Sequence, residues 1–170
     1  MSDSLLVSKS RLGIDIGRVI IGGGDQPGAD TVFLNGSDDR AMQTPAIPEA
    51  FASIASLYRA FDGRVWLVSK AGARIRDRTL RWFAAQQFYC ATGLTPERVR
   101  FCRERAEKAE HAKVLGLTHF IDDRSDVLEA LHGIVPNLIL FGPQRRPIAH
   151  SDWFSTARDW AAVRRLWLTT

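Results

Sequence analysis

The 170-residue sequence is short of cysteine: it has two, Cys90 and Cys102, too far apart for a C-x-x-C pair and with no histidine set at zinc spacing around them. A disulfide framework and a structural zinc site are therefore excluded. Lysine is scarce as well, at four residues (Lys9, Lys70, Lys108 and Lys113), against nineteen arginines. No lysine follows a glycine, which removes the G-x-x-x-x-G-K-[ST] phosphate loop. The dinucleotide fingerprint fails at Pro27, where Gly22 and Gly24 would require a third glycine or alanine. No apolar run approaches the roughly 20 residues of a membrane span. The opening segment, 1–13, lacks the apolar stretch of a signal peptide. His111, His119, His132 and His150 lack metal-site spacing and read as ordinary side chains.

What is present reads as a globular chain. Hydrophobic residues make up 45% and charged residues 25%, ordinary values that argue against disorder. A chain of this length buries about 70% of its unfolded surface without staples. The expectation is one cytoplasmic domain over 1–170 with no membrane partner. Charge is uneven: residues 64–108 carry 11 basic and 4 acidic side chains, while 1–63 carry 5 and 8, and 109–170 carry 7 of each. The basic middle third suggests an extended anionic partner, a nucleotide or nucleic acid.

Apolar runs alternate with amphipathic stretches. Leu12–Ile21 reads as a buried strand with one acid, Asp15, in its middle. A Gly- and Pro-rich loop or flap excursion follows over 22–47, with a short hairpin expected around Thr31–Leu34. Helices are expected at Pro48–Phe61, Ala73–Tyr89, Glu104–Leu115 and Ser125–Leu131, and over 151–170 at the C-terminus. Strands are expected at Arg64–Val68, Val99–Cys102, Thr118–Ile121 and Asn137–Phe141. This order predicts an α/β fold: one Rossmann-like domain with a mainly parallel sheet and helices on both faces.

In such sheets ligands bind beyond the carboxyl ends of the strands. Asp15, Ser69 and the pair Asp122-Asp123 fall at or near such ends. A carboxylate between Ile14 and Ile16 is costly to bury unless it is paired or binds a metal. Magnesium takes hard oxygen donors, which Asp15 and Asp122 can supply, with Asp123 or Asp126 as alternates. The loop carrying Arg145 and Arg146 is a further, weaker candidate for touching phosphate.

The order apolar strand–Asp15, apolar strand–Ser69, lysine, apolar strand–Asp122-Asp123 resembles the haloacid dehalogenase-like superfamily of phosphohydrolases. The carrying segments are Gly-Ile-Asp-Ile-Gly-Arg-Val-Ile, Val-Trp-Leu-Val-Ser, the stretch around Lys108, and His-Phe-Ile-Asp-Asp, at intervals of 54, 39 and 14 residues. The resemblance implies that Asp15 attacks phosphorus to form an aspartyl-phosphate, and that Asp15, Gly17 (through its carbonyl), Asp122 and Asp123 hold Mg2+. It implies also that Ser69 and a lysine contact the phosphoryl group. Lys108 is preferred to Lys113 because it lies nearer the start of its helix, with Lys70 and Arg18 as further substrate contacts. Family phosphatases usually carry a second Asp two residues after the nucleophile, as general acid; here that position is Gly17. The intervals leave no room for a large cap domain. Nearly capless members tend to act on macromolecules or to cover the site by forming homo-oligomers. Two expectations follow: a Mg-dependent phosphohydrolase for a phosphorylated substrate, such as a nucleotide or nucleic acid, or a binding and regulatory module that has lost turnover. The retained Asp15, Ser69, Lys108 and Asp122 favour the first, and Gly17 favours the second.

Overall fold

A computed structural model describes residues 9–22 and 29–168. The glycine-rich start of the expected excursion, 23–28, lies outside these residues, as do 1–8 and 169–170. Six strands form one fully parallel sheet: β1 (Leu12–Ile14), β2 (Val65–Lys70), β3 (Val99–Cys102), β4 (His119–Asp122), β5 (Asn137–Phe141) and β6 (Ser155–Ala157). Their order across the sheet is β3-β2-β1-β4-β5-β6. The chain thus winds outward in both directions from β1, and the reversal between β1 and β4 is the place where such sheets open a crevice.

Strand residues alternate between two cores. Leu12, Ile14, Val65, Leu67, Ile121 and Ile139 face one cluster, which includes side chains from α3 (Ala50–Ala60), α4 (Ala73–Ala85), α5 (Phe88–Thr92) and α8 (Trp160–Leu168). Trp66, Val68, Phe120, Leu138 and Leu140 face the other, packed by α6 (Glu107–Leu115) and α7 (Ser125–Leu131). The period of two along each strand is what a sheet covered on both faces requires. Gly13 leaves room for its partner on the neighbouring strand: a Cβ there would lie 2.5 Å from the Phe120 ring.

Four expectations need correction. The first strand stops at Ile14, so Asp15 stands just past its end instead of in its middle. Ile20 and Ile21 donate back to the Ile16 carbonyl, at 2.8 and 3.1 Å, closing a tight turn that buries Ile16, Val19, Ile20 and Ile21 together. A strand would have turned alternate members of that run outward. The expected hairpin is helical: α1 (Ala29–Asn35) and α2 (Asp38–Met42) occupy the described part of the excursion. The helix expected at Ala73–Tyr89 is divided by Gln87 in the left-handed region (φ 54°). The C-terminal stretch 151–170 is not one helix, since Ser155–Ala157 adds β6 to the sheet before α8 starts.

Candidate active site

Each strand of the central pair delivers a carboxylate to the same edge. The Asp15 amide donates to the Ile121 carbonyl at 2.9 Å, which carries the β1–β4 ladder one residue past β1 and sets Asp15 beside Asp122. Ser69 arrives from β2, next to β1 on its other side. Lys108, the second residue of α6, reaches in from the helix covering this edge. Its ammonium donates to Asp15 Oδ1 at 2.8 Å and to Asp122 Oδ2 at 2.7 Å. Asp15, Ser69, Lys108 and Asp122 are all buried, at 6, 8, 3 and 0% exposure. The second Asp122 oxygen accepts from the Arg124 amide at 3.0 Å.

These four sequence-selected residues come together, and Asp123 joins them: carboxylate oxygens of Asp15, Asp122 and Asp123 lie within 4.8 Å of one another. Arg18, with φ 61°, holds a guanidinium nitrogen 3.7 Å from Asp123 Oδ2. Gly17 and Lys70 line the same cleft, which has a volume of about 240 Å³. Lys113 does not: it is exposed on α6 and pairs with Glu110 at 3.0 Å. Asp126 points to Arg124 in a bidentate pair, both bonds 3.0 Å, and is not part of the carboxylate cluster.

The electrostatics follow from three carboxylates facing one buried ammonium. Burial pulls the Lys108 ammonium down, but Asp15 and Asp122 more than offset it and leave its pKa raised. Asp122 is pushed well above the usual carboxylate range by burial and then by the charge of Asp15. Asp123 rises to about 6, first through burial and then through Asp15, with Arg18 opposing. Closely spaced carboxylates resist joint ionisation unless further positive charge enters. The cluster therefore offers hard oxygen donors where a divalent cation would relieve the excess negative charge.

Composition alone did not reveal what the excursion and the middle arginines do. Phe33 and Leu34 of α1, with Ile16, Ile21 and Ile75, supply the apolar lining of the cleft, and Arg18, Lys70, Arg105 and Arg124 its basic lining. The segment carrying Phe33 and Leu34 is held by α4. Arg78, 4% exposed, donates to the Phe33 carbonyl at 2.7 Å and to Asp38 at 2.7 Å. Arg74 donates to the Leu34 carbonyl at 2.9 Å, and Arg81 to Asp38 at 3.0 Å. Arg98 lies 4.5 Å over the Trp66 ring, and Arg76 lies 5.8 Å over Phe101. Much of the basic middle third is thus occupied inside the molecule, while Lys70 and Arg105 remain at the cleft.

No family model matches the sequence, and no curated protein does. Solved structures do match. A haloacid dehalogenase-like family hydrolase from Xanthomonas campestris is 14% identical, with 94% of this chain and 96% of that one covered and a TM-score of 0.59. A putative haloacid dehalogenase-like hydrolase from Burkholderia xenovorans LB400 is 10% identical, with 95% and 100% covered and a TM-score of 0.62. The fold is that of the haloacid dehalogenase-like hydrolases. Among the described residues, no helix is long and apolar enough to cross a membrane.

Proposed function

We propose that this chain is a magnesium-dependent phosphohydrolase in which Asp15 is the nucleophile. The observation that carries the reading is the single Lys108 ammonium bonded to both Asp15 and Asp122 at the carboxyl ends of adjacent parallel strands, inside an open cleft. Asp15, Asp122, Asp123 and the Gly17 carbonyl would hold the ion, and their close-set, buried oxygens suit it. When bound, magnesium supplies positive charge to the phosphate oxygens.

The protein's own groups account for the rest. One Asp15 oxygen accepts from Lys108, which leaves the other to attack phosphorus. The bond from phosphorus to the leaving oxygen breaks, and an aspartyl-phosphate forms on Asp15. Water then attacks this acyl phosphate, releasing inorganic phosphate and returning the carboxylate. Ser69 and Lys108 hold the transferring group, positioning that carries most of the catalysis in phosphoryl transfer. Arg18 and Lys70 meet the substrate at the cleft mouth.

Gly17 favours a second reading. It leaves no acid at the position from which a leaving oxygen would be protonated, and a Cβ added there meets nothing within 4 Å. A binding or regulatory module would keep the cluster without turnover. Hydrolysis of p-nitrophenyl phosphate in magnesium, lost in Asp15→Asn, supports the enzyme. Inactivity on aryl and alkyl phosphates alike, with magnesium bound, establishes the module.

A further inference from the structure

A second cleft lies along the same sheet edge, beyond the ends of β5 and β6. It has a volume of about 560 Å³ and is lined by Arg145, Arg146 and Arg158 over a floor that includes Leu140, Thr156 and Ala157. No acidic residue lines it. All three arginines are exposed, and among the described residues none has an ion pair or hydrogen bond. They differ in this from Arg74, Arg78 and Arg81, which are spent on the excursion. Three arginines that line one cleft with no acid beside them concentrate positive charge there, an arrangement that an anion relieves.

The pocket is built against the acidic cluster. Gly142 turns the chain at the end of β5 with φ 80°, and its amide donates to the Ala157 carbonyl of β6 at 2.8 Å. The Gln144 side-chain amide then donates to the carbonyls of Asp123 and Phe141, both at 3.2 Å. Pro143 and Pro147 stiffen the backbone on either side of the arginine pair. The loop is therefore fastened to the residue that closes the carboxylate cluster. At the usual strand spacing, β5 and β6 lie about 10 and 14 Å from β1.

We propose that this arginine pocket is a subsite for a second phosphate of the ligand whose terminal phosphoryl group reaches Asp15. Resting on the phosphohydrolase reading, it narrows the substrate to a chain of linked phosphates long enough to place two of them about 10–14 Å apart. A terminally phosphorylated single-stranded oligonucleotide meets that requirement. A mononucleotide with one phosphate does not.

The test uses Asp15→Asn protein with magnesium, which cannot turn the ligand over, and calorimetric binding of 5′-phosphorylated oligothymidylates of one to five nucleotides. Linear polyphosphates of matching length form the second arm. Affinity should step upward once the chain is long enough to reach the pocket, and the arm showing the step identifies the source of the phosphates. Adding Arg145→Ala, Arg146→Ala and Arg158→Ala should remove the step and flatten the salt dependence. One lost phosphate contact corresponds to a log–log slope smaller by about 0.7, or a loss about 2.6-fold smaller between 50 and 200 mM salt. Removing two distant cations, Arg59 and Lys113, should leave the step in place. A length series without a step in either arm, or a step that survives loss of the three arginines, overturns the subsite. Hydrolysis of p-nitrophenyl phosphate by the wild-type chain tests the Asp15 reading separately, since that ester has no second phosphate.

Discussion

The two ends of β4 carry ionisable groups three residues apart, one half-buried and one fully buried, and treat them in opposite ways. At the amino end, His119 packs between Phe61 and Trp167, each ring centroid 4.9 Å away, with the Thr118 hydroxyl 2.8 Å from Nδ1. Burial drives its pKa down to about 4, so the ring is neutral and the charge problem disappears. At the carboxyl end, Asp122 is fully buried but surrounded by charge: Lys108 bonds it, and Asp15 and Asp123 stand beside it. The amino end is resolved within the fold. The carboxyl end holds an excess of negative charge that a ligand can meet, the property expected of a functional edge.

The most severe way to break this contrast is to remove the nucleophile or the ammonium. Asp15→Asn should abolish turnover of p-nitrophenyl phosphate while the fold persists, as followed by far-UV circular dichroism. Lys108→Met should also abolish turnover, and it leaves the carboxylates without their buried partner. Breaking a buried pair from one side costs about 3–5 kcal/mol. Urea unfolding without metal should show a loss of that order, and adding Asp122→Asn should return part of it, because the second change removes the orphaned charge. An additive double variant would show that Lys108 and Asp122 are not energetically coupled.

Gly17→Asp adds a carboxylate to the same end and has a smaller, gainful effect. The position is exposed, its Cβ would be unobstructed, and its φ lies outside the left-handed region. A positioned general acid contributes about 10²–10⁴-fold. Alkyl phosphate hydrolysis should rise by no more than that range, with a smaller change for aryl phosphates, whose leaving groups need no proton. Equal wild-type rates on aryl and alkyl esters would show that another group already donates the proton.

The carboxyl end was largely legible in the sequence because its logic is local. A polar residue directly after an apolar run marks a strand end, and Asp15, Ser69 and Asp122 each carry that mark. Lys108 was separable from Lys113 by its place on the helix, and the structure brings only Lys108 into the cleft. What was not legible depends on distant partners. The short helices α1 and α2 are fixed by Arg74, Arg78 and Arg81 some forty residues later, a relation that no local pattern encodes. The three residues of β6 lie among aromatic residues that read as helix, and only pairing with β5 makes them a strand. Charge counting found the basic third but could not separate arginines used internally from those left free.

The smallest expected effect lies in pH, where the two ends of β4 carry opposite signs over the same window. His119 falls from 6.5 to about 4 on folding, so the unfolded chain takes up the proton first as pH drops. Its contribution to stability is full above pH 6.5 and is lost as pH falls toward 4. Asp123 rises from 3.8 to about 6, so the folded chain holds the proton more firmly. Its contribution is greatest below pH 4 and is lost as pH rises through 6. In metal-free protein these slopes oppose each other between pH 4 and 6. His119→Phe keeps an aromatic ring beside Phe61 and Trp167 and gives up the contact with Thr118, a change expected to cost less than about 1.5 kcal/mol at pH 7. Urea midpoints at pH 4.5, 5.5 and 6.5 should then fall with rising pH more steeply than in the wild-type chain. Asp123→Asn should make the profile fall less steeply with rising pH, since one raised carboxylate is gone while Asp122, also held above the usual range, still opposes His119. An unchanged slope in His119→Phe would mean that His119 protonates as readily in the fold as out of it.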